Sequence, residues 1–382
     1  MGRFGRRVLL VTGEVSGERH ASRLVKELSL RLPGLEVDAV GGQMLKDEGA
    51  RIICPYLHVS VTGLYEAFLK IPAVLRMERR IRAYMEEARP ALFLPVDFPG
   101  LNLRLCKVAR GLSIPVVYFI PPQVWAWGEG RVKRIRECVR RVISFLPFER
   151  DFFVSHGVDC IYVGHPYLHR LEPFYADRKS FLFSQGIEEG TIITFMPGSR
   201  KNEVIRHMPL LGPLLSILRP RIRDLRVVIP VAYGLDISLF ERPLREMEDV
   251  FLLKGLNIDA LKYCDLALLA SGSASIEALS LCTPSIVIYR LSPLSFFFAK
   301  RMVKVGYISI PNLLAGREIF PEFVQRLDPS LIAEEIFFML ENGGRRAELL
   351  AVKEKFRVDI DPYKASAEAI IEVLEEHYGP LS

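Results

Sequence analysis

The chain has 382 residues, half of them hydrophobic and a quarter charged, with a net charge of +6. This composition excludes disorder, collagen-like sequence and low complexity, and the charge is too mild for a dedicated nucleic-acid binder. At roughly 150 residues per domain the length predicts two or three domains with full cores. The six cysteines, Cys54, Cys106, Cys138, Cys160, Cys264 and Cys282, form no C-x-x-C pair and mostly lie in apolar runs. That argues against a disulfide framework or zinc site and for a reducing, cytosolic compartment.

In chain order, the basic residues 1–7 lead into an apolar run at 8–11 that ends in Thr12-Gly13-Glu14, too short for a secretory signal. Strands are predicted at 8–12, 37–40, 92–96, 116–120, 142–146 and 161–163. Helices are predicted at 18–31, 64–87, 101–110 and 149–156. The longest uncharged stretch, 111–128, holds Pro115, Pro121 and Pro122, so it reads as a strand plus loop rather than a spanning helix. Residues 166–190 are polar and lack periodicity, which predicts a linker over 171–190. Alternation then restarts, with strands at 192–196, 227–231, 251–253, 266–270 and 286–289 and helices at 204–218, 237–248, 274–281 and 331–340. An amphipathic helix at 365–377 could dock back on the first domain. Strand–helix alternation predicts an α/β chain with two Rossmann-like, doubly wound parallel domains facing a cleft. The expected divisions are 1–170, the linker, 191–345, and C-terminal helices over 346–382 packing on the first domain.

Ligands of open parallel sheets bind beyond the carboxyl ends of strands, so the loops there carry the functional reading. Gly13-Glu14-Val15-Ser16-Gly17 follows the first strand, and its glycines would let backbone amides approach a ligand. The alternative is a tight turn capped by Ser16. Asp97 closes an apolar strand, where desolvation would make it a better base; the alternative is a helix cap. Trp125-Ala126-Trp127 holds both tryptophans of the chain, either a wall for a sugar or acyl group or a core anchor for the loop. Residues 131–141 carry six cations against Glu137, on a face turned to solvent or to an anion. Gly198-Ser199-Arg200-Lys201 before a helix suits a diphosphate, and a plain N-cap with surface charge is the other reading. Ser271-Gly272-Ser273-Ala274-Ser275 offers further phosphate or ribose donors, and Glu277 could accept from sugar hydroxyls. His165 and His169 are separated by Pro166, with no third ligand nearby, so no metal site and no cofactor are expected.

Two stretches combine bulk and positive charge. Residues 70–82 carry five cations against Glu78, interleaved with Ile71, Val74, Leu75, Met77 and Ile81. Residues 296–305 set three phenylalanines before Lys300, Arg301 and Lys304. Each reads either as a core helix with a solvated back or as a contact for an anionic membrane surface.

These motifs, with Val96-Asp97-Phe98-Pro99, Phe145-Leu146-Pro147-Phe148-Glu149, Val163-Gly164-His165-Pro166, Tyr289-Arg290-Leu291-Ser292-Pro293 and Ile310-Pro311-Asn312-Leu313-Leu314-Ala315-Gly316-Arg317-Glu318, resemble the lipid-A-disaccharide synthase family over nearly the whole chain. The family consists of inverting glycosyltransferases with two Rossmann-like domains (GT-B). The resemblance implies joining UDP-2,3-diacylglucosamine to 2,3-diacylglucosamine 1-phosphate through a β-1,6 link, with release of UDP, at the cytoplasmic face of the inner membrane. It implies Asp97 as base, Arg200 as the important arginine, Ser16 in the first loop, and Gly198, Ser199, Ser271, Gly272, Ser273, Ser275 and Glu277 on the nucleotide side. Asn312 and Arg317 would form a late polar cluster. The family usually has Asp at Gly100 and Glu18, Ser at Pro121 and Gln123, and Arg at Gly128; these departures bear on the acceptor grip. The resemblance leaves monomer and homodimer both open. Rival readings are another UDP-N-acetylglucosamine enzyme on the same scaffold and a non-catalytic relative that binds acylated sugars.

Overall fold

The computed structural model describes residues 6–55, 64–126, 128–244, 247, 249–293, 296–297 and 305–381. The chain forms two compact units, the first mainly from Met1–His169 and Val358–Ser382, the second mainly from Arg170–Arg301 and Val305–Arg357.

In unit 1, β1 (Arg7–Val11), β2 (Glu36–Gly41), β3 (Arg51–Pro55) and β4 (Leu92–Pro95) lie in the order β3-β2-β1-β4. A second parallel set, β5 (Val117–Phe119), β6 (Arg141–Ser144) and β7 (Cys160–Tyr162), continues from β4 through bridges between Phe93 and Val116 and between Val96 and Phe119. After Arg7, strand β1 is apolar because both of its faces are covered. Val8 and Leu10 pack with Leu24 and Leu28 of the helix Val15–Arg31, and Leu9 and Val11 pack with Met77, Ile81 and Leu105 on the other face.

Unit 2 contains one six-stranded parallel sheet. Its strands are β8 (Thr191–Met196), β9 (Leu225–Val231), β10 (Val250–Lys254), β11 (Leu266–Ala270), β12 (Ser285–Tyr289) and β13 (Glu322–Val324), in the order β10-β9-β8-β11-β12-β13. Strand order reverses between β1 and β4 in unit 1 and between β8 and β11 in unit 2. These switch points are where doubly wound sheets open a crevice at their carboxyl ends.

Several expectations change. Residues 171–190 are not a free linker but part of unit 2. Their helix Arg178–Ser184 is capped by Asp177, buries Phe181 and Leu182, and ties down through Arg178, which donates to Tyr263 O at 2.6 Å and Gly190 O at 2.7 Å. The C-terminal residues divide between the units. The helix Arg346–Phe356 stays with unit 2, where Leu349 is buried and Gly344, at φ 62°, passes so close to Pro284 that a Cβ would lie 2.3 Å from it. The helix Pro362–Tyr378 instead packs on unit 1, burying Tyr363, Ala367, Ile370 and Leu374 beside Leu24 and Leu28. Ile370 and Leu374 each contribute about 2 kcal/mol by leaving water. The stretch expected as one helix at 204–218 is two, Lys201–His207 and Leu211–Leu218, joined by a single 3-10 turn at Met208–Leu210 containing Pro209. Among the described residues no helix is long and apolar enough to cross a membrane.

Candidate active site

At the unit 1 switch point, β1 leads into the loop at 12–14. Gly13 lies against the Phe98 ring, with room for no Cβ: one would sit 2.4 Å from Phe98 Cγ. Ser16 is exposed near the start of the first helix, but Glu14 is the N-cap, so Ser16 does not cap that helix. Glu18 is buried, and its Oε1 accepts from Gly42 N at 2.8 Å and Leu45 N at 3.2 Å, holding the loop after β2.

Beyond β4, Asp97 and Phe98 both take left-handed backbone, at φ 44° and 50°. Such conformations cost about 1–3 kcal/mol each for residues with a side chain and concentrate at functional sites. Buried groups hold them in place. Asn102 Nδ2 and Tyr118 Oη each donate to Asp97 O at 2.7 Å. Asp97 N donates to Ile120 O at 3.1 Å. The following helix, Pro99–Gly111, is N-capped by Phe98 without a side-chain cap bond, so Asp97 is not the cap. Its half-buried carboxylate is placed by a strained backbone that its neighbours over-determine.

A second carboxyl lies two strands further along the sheet, after β6. Ile120 N donates to Ile143 O at 3.0 Å, which brings the end of β6 beside the end of β5. Glu149, in the first turn of the helix Pro147–Ser155, is buried; its Oε1 accepts from Trp125 Nε1 at 2.9 Å and its Oε2 bonds Ser144 Oγ at 2.5 Å. Burial pushes its acid up to about 7 against the pull of those two bonds, and the Asp97 charge adds to the rise. In sequence this glutamate only closes the motif Phe145–Glu149, where its residue type assigns it no role; Trp127 lies outside the described residues.

In unit 2, the loop after β8 turns through Gly198 at φ 129°. The amides of Ser199 and Arg200 donate to Glu203 Oε2 at 3.1 and 3.3 Å, and Arg200 Nη1 pairs with Glu203 Oε1 at 3.2 Å. This changes the diphosphate reading. The loop amides expected to cradle a phosphate already serve a buried carboxylate of the same chain, so an anion here would meet the Arg200 guanidinium rather than those amides. His207 locks the loop from below. Its Nδ1 donates to Pro197 O at 2.6 Å and its Nε2 accepts from Arg290 N at 3.0 Å. A carbonyl can only accept and an amide only donate, which fixes a neutral tautomer; burial also lowers the ring's pKa.

Across the switch point, Gly272 caps the helix Ser273–Ser280 with no side-chain bond, and Gly272 and Ser273 are exposed. Ser271 Oγ donates to Ile308 O at 3.0 Å. Ser275 is buried and donates to Gly272 O at 2.7 Å, so it shapes the loop rather than facing a ligand. Glu277 is buried and accepts from Asn257 Nδ2 at 3.0 Å. The expected late cluster also reads differently. Asn312 is fully buried, donating to Phe320 O and Glu322 Oε1 at 2.7 and 2.8 Å and accepting from Ile319 N and Phe320 N at 2.8 and 2.9 Å. Its amide has no capacity left for a ligand; through Glu322, which accepts from Ile308 N, it supports the carbonyl that Ser271 bonds. Arg317 is exposed and pairs with Glu348.

The family model described as Lipid-A-disaccharide synthetase matches residues 8–373. The chain belongs to this family. The Lipid-A-disaccharide synthase of Alkalilimnicola ehrlichii is 36% identical over 352 residues, covering 90% of this chain and 92% of that one. The UDP-GlcNAc 2-epimerase of Neisseria meningitidis, solved bound to UDP-GlcNAc, aligns with TM-score 0.63 at 15% identity, covering 97% of this chain and all of that one. The glycotransferase of kitacinnamycin aligns with TM-score 0.66 at 14% identity, over 98% of this chain and all of that one. The two solved structures speak for the GT-B fold alone. With the family, the chain is a glycosyltransferase of lipid A biosynthesis that takes a nucleotide-sugar donor.

Proposed function

We propose that the protein condenses UDP-2,3-diacylglucosamine with 2,3-diacylglucosamine 1-phosphate, forming a β-1,6 link and releasing UDP. Asp97 at the unit 1 switch point carries this reading: a carboxylate held on strained backbone at a crevice-forming strand end. In this mechanism Asp97 takes the proton of the acceptor's 6-hydroxyl as its oxygen attacks the donor's anomeric carbon from the face opposite the diphosphate, and the configuration inverts. Charge builds on the departing diphosphate. Arg200, held at the loop after β8 by Glu203, and the exposed helix start at Gly272–Ser273 offset it, with Glu277 toward the ribose.

The substrates carry acyl chains, so we place the protein at the cytoplasmic face of the inner membrane. In the helix Leu64–Ala88, Arg76, Arg79, Arg80 and Arg82 are exposed and Leu75 is partly so, which supports contact with an anionic surface. Of the interleaved apolar residues, Met77 and Ile81 are core residues and take no part in such contact. The side chains of Lys70 and Ile71 and residues 298–304 lie outside the described residues. The test is purified protein with both acylated substrates, read by mass detection of the disaccharide with and without chelator. Product unaffected by chelator supports the reading. UDP released from donor alone, with no disaccharide formed, would instead favour an epimerase-like activity.

A further inference from the structure

Glu149 is an expensive residue for its place. A carboxyl 4% exposed in an α/β core is unfavourable unless its bonds serve something, and among the described residues it forms no ion pair. Its two bonds point one way. Oε2 meets Ser144 Oγ, itself fully buried and fixed by Leu146 N at 3.0 Å, so the carboxyl cannot swing. Oε1 then receives the indole N–H of Trp125, whose ring is also met edge-on by Phe148 at 4.9 Å and 76°. The indole is thus held at one edge by a hydrogen bond and along its side by a ring, and it stays half-buried rather than filling the core.

Its address is the base's. The ends of β4, β5 and β6 are stitched in turn by Asp97 N to Ile120 O and Ile120 N to Ile143 O, and Ser144 follows directly. Ile120 is left-handed as well, at φ 55°, so positive-φ residues stand at two neighbouring strand ends. We propose that Glu149 is a positioning residue that fixes the Trp125 indole as the apolar wall of the sugar-acceptor subsite beside Asp97. The flat indole face offers the C–H surface of a pyranose ring broad contact, and its orientation sets how squarely the acceptor hydroxyl meets the base. The inference rests on reading the Asp97 end of unit 1 as the acceptor side.

Glutamine and leucine at 149 separate the roles. Glu149→Gln retains both bonds, since its carbonyl accepts from Trp125 and its amide donates to Ser144, whereas Glu149→Leu keeps the bulk and loses both. Misplacement by about 1 Å costs on the order of 100-fold. Glu149→Leu should therefore lower kcat/KM for the acceptor by about that factor, chiefly through acceptor KM, with UDP affinity by calorimetry unchanged, and Glu149→Gln should stay near the parent. In a Trp127→Phe background, Trp125 is the sole indole; acrylamide quenching should rise in Glu149→Leu and not in Glu149→Gln. Should Glu149→Leu fail to fold, Trp125→Leu provides the same kinetic comparison. Parent-like acceptor KM in a folded Glu149→Leu or Trp125→Leu protein overturns the proposal, as does a glutamine variant that behaves like leucine. Activity persisting in Asp97→Asn would sink the base assignment and leave these outcomes readable.

Discussion

Replacing Glu149 with glutamine removes a single titration from the interior of unit 1. In the folded chain the acid sits near pKa 7, against 4.5 for a glutamate in water, because burial disfavours its charge and Asp97 adds repulsion. Cys160, on β7, also feels its charge and is itself raised by burial. A raised acid binds its proton more tightly when folded. Its contribution is therefore complete below about pH 4.5 and is lost as pH climbs through about 7. Each pKa unit corresponds to about 1.36 kcal/mol, so the full effect is roughly 3 kcal/mol, of which about 2–3 kcal/mol falls between pH 5 and pH 8. Glutamine stays neutral throughout. Both tryptophans belong to the unit 1 part of the chain, so urea unfolding followed by their emission reports that unit. The parent should lose about 2–3 kcal/mol relative to Glu149→Gln on going from pH 5 to pH 8. Stability curves that stay parallel over this range would refute the claim that the buried acid titrates near neutrality.

Arg200→Ala should weaken UDP binding by calorimetry and lower kcat/KM by about 3–4 kcal/mol in transition-state terms, with an almost unchanged melting temperature; unchanged UDP affinity removes Arg200 from the diphosphate contacts. Asn312→Ala takes from the Ile319 and Phe320 amides and the Phe320 carbonyl their Asn312 partner, and from Glu322 one of its donors, so it should cost about 1–3 kcal/mol of stability, read as a fall in melting temperature. An unaltered melting temperature would contradict the support role. Serine at Arg76, Arg79, Arg80 and Arg82 together should abolish flotation with anionic vesicles, each cation being worth about 1 kcal/mol near the surface; flotation as strong as the parent's rejects membrane contact by this helix.

The parallel layers were legible because strands such as 8–12 and 266–270 are apolar on both faces, a signal that local sequence carries alone. The edge strands Arg51–Pro55 and Glu322–Val324 were not. They are short, only partly buried at the sheet edges, and begin with a charge that reads as loop. The loop motifs pointed to both switch points, yet residue type could not tell a ligand from a brace. Ser275 and Asn312 look like donors to a substrate and are used by their own backbone neighbours. The Ser199 and Arg200 amides look free at a helix start until Glu203 is seen folded over them. Glu149 was hidden for a related reason. An acid in the first turn of a helix is ordinary, and its bond to Trp125 arises only when β5 and β6 lie side by side.

Product formation by Asp97→Asn tests the base at residue 97 most directly. Asparagine keeps the shape and the backbone bonds to Asn102 and Tyr118 while removing basicity. With both acylated substrates saturating, disaccharide and UDP should appear about 10²–10⁴ times more slowly than with the parent, while UDP affinity and melting temperature hold. Turnover within a few-fold of the parent would contradict the assignment of Asp97 as the base.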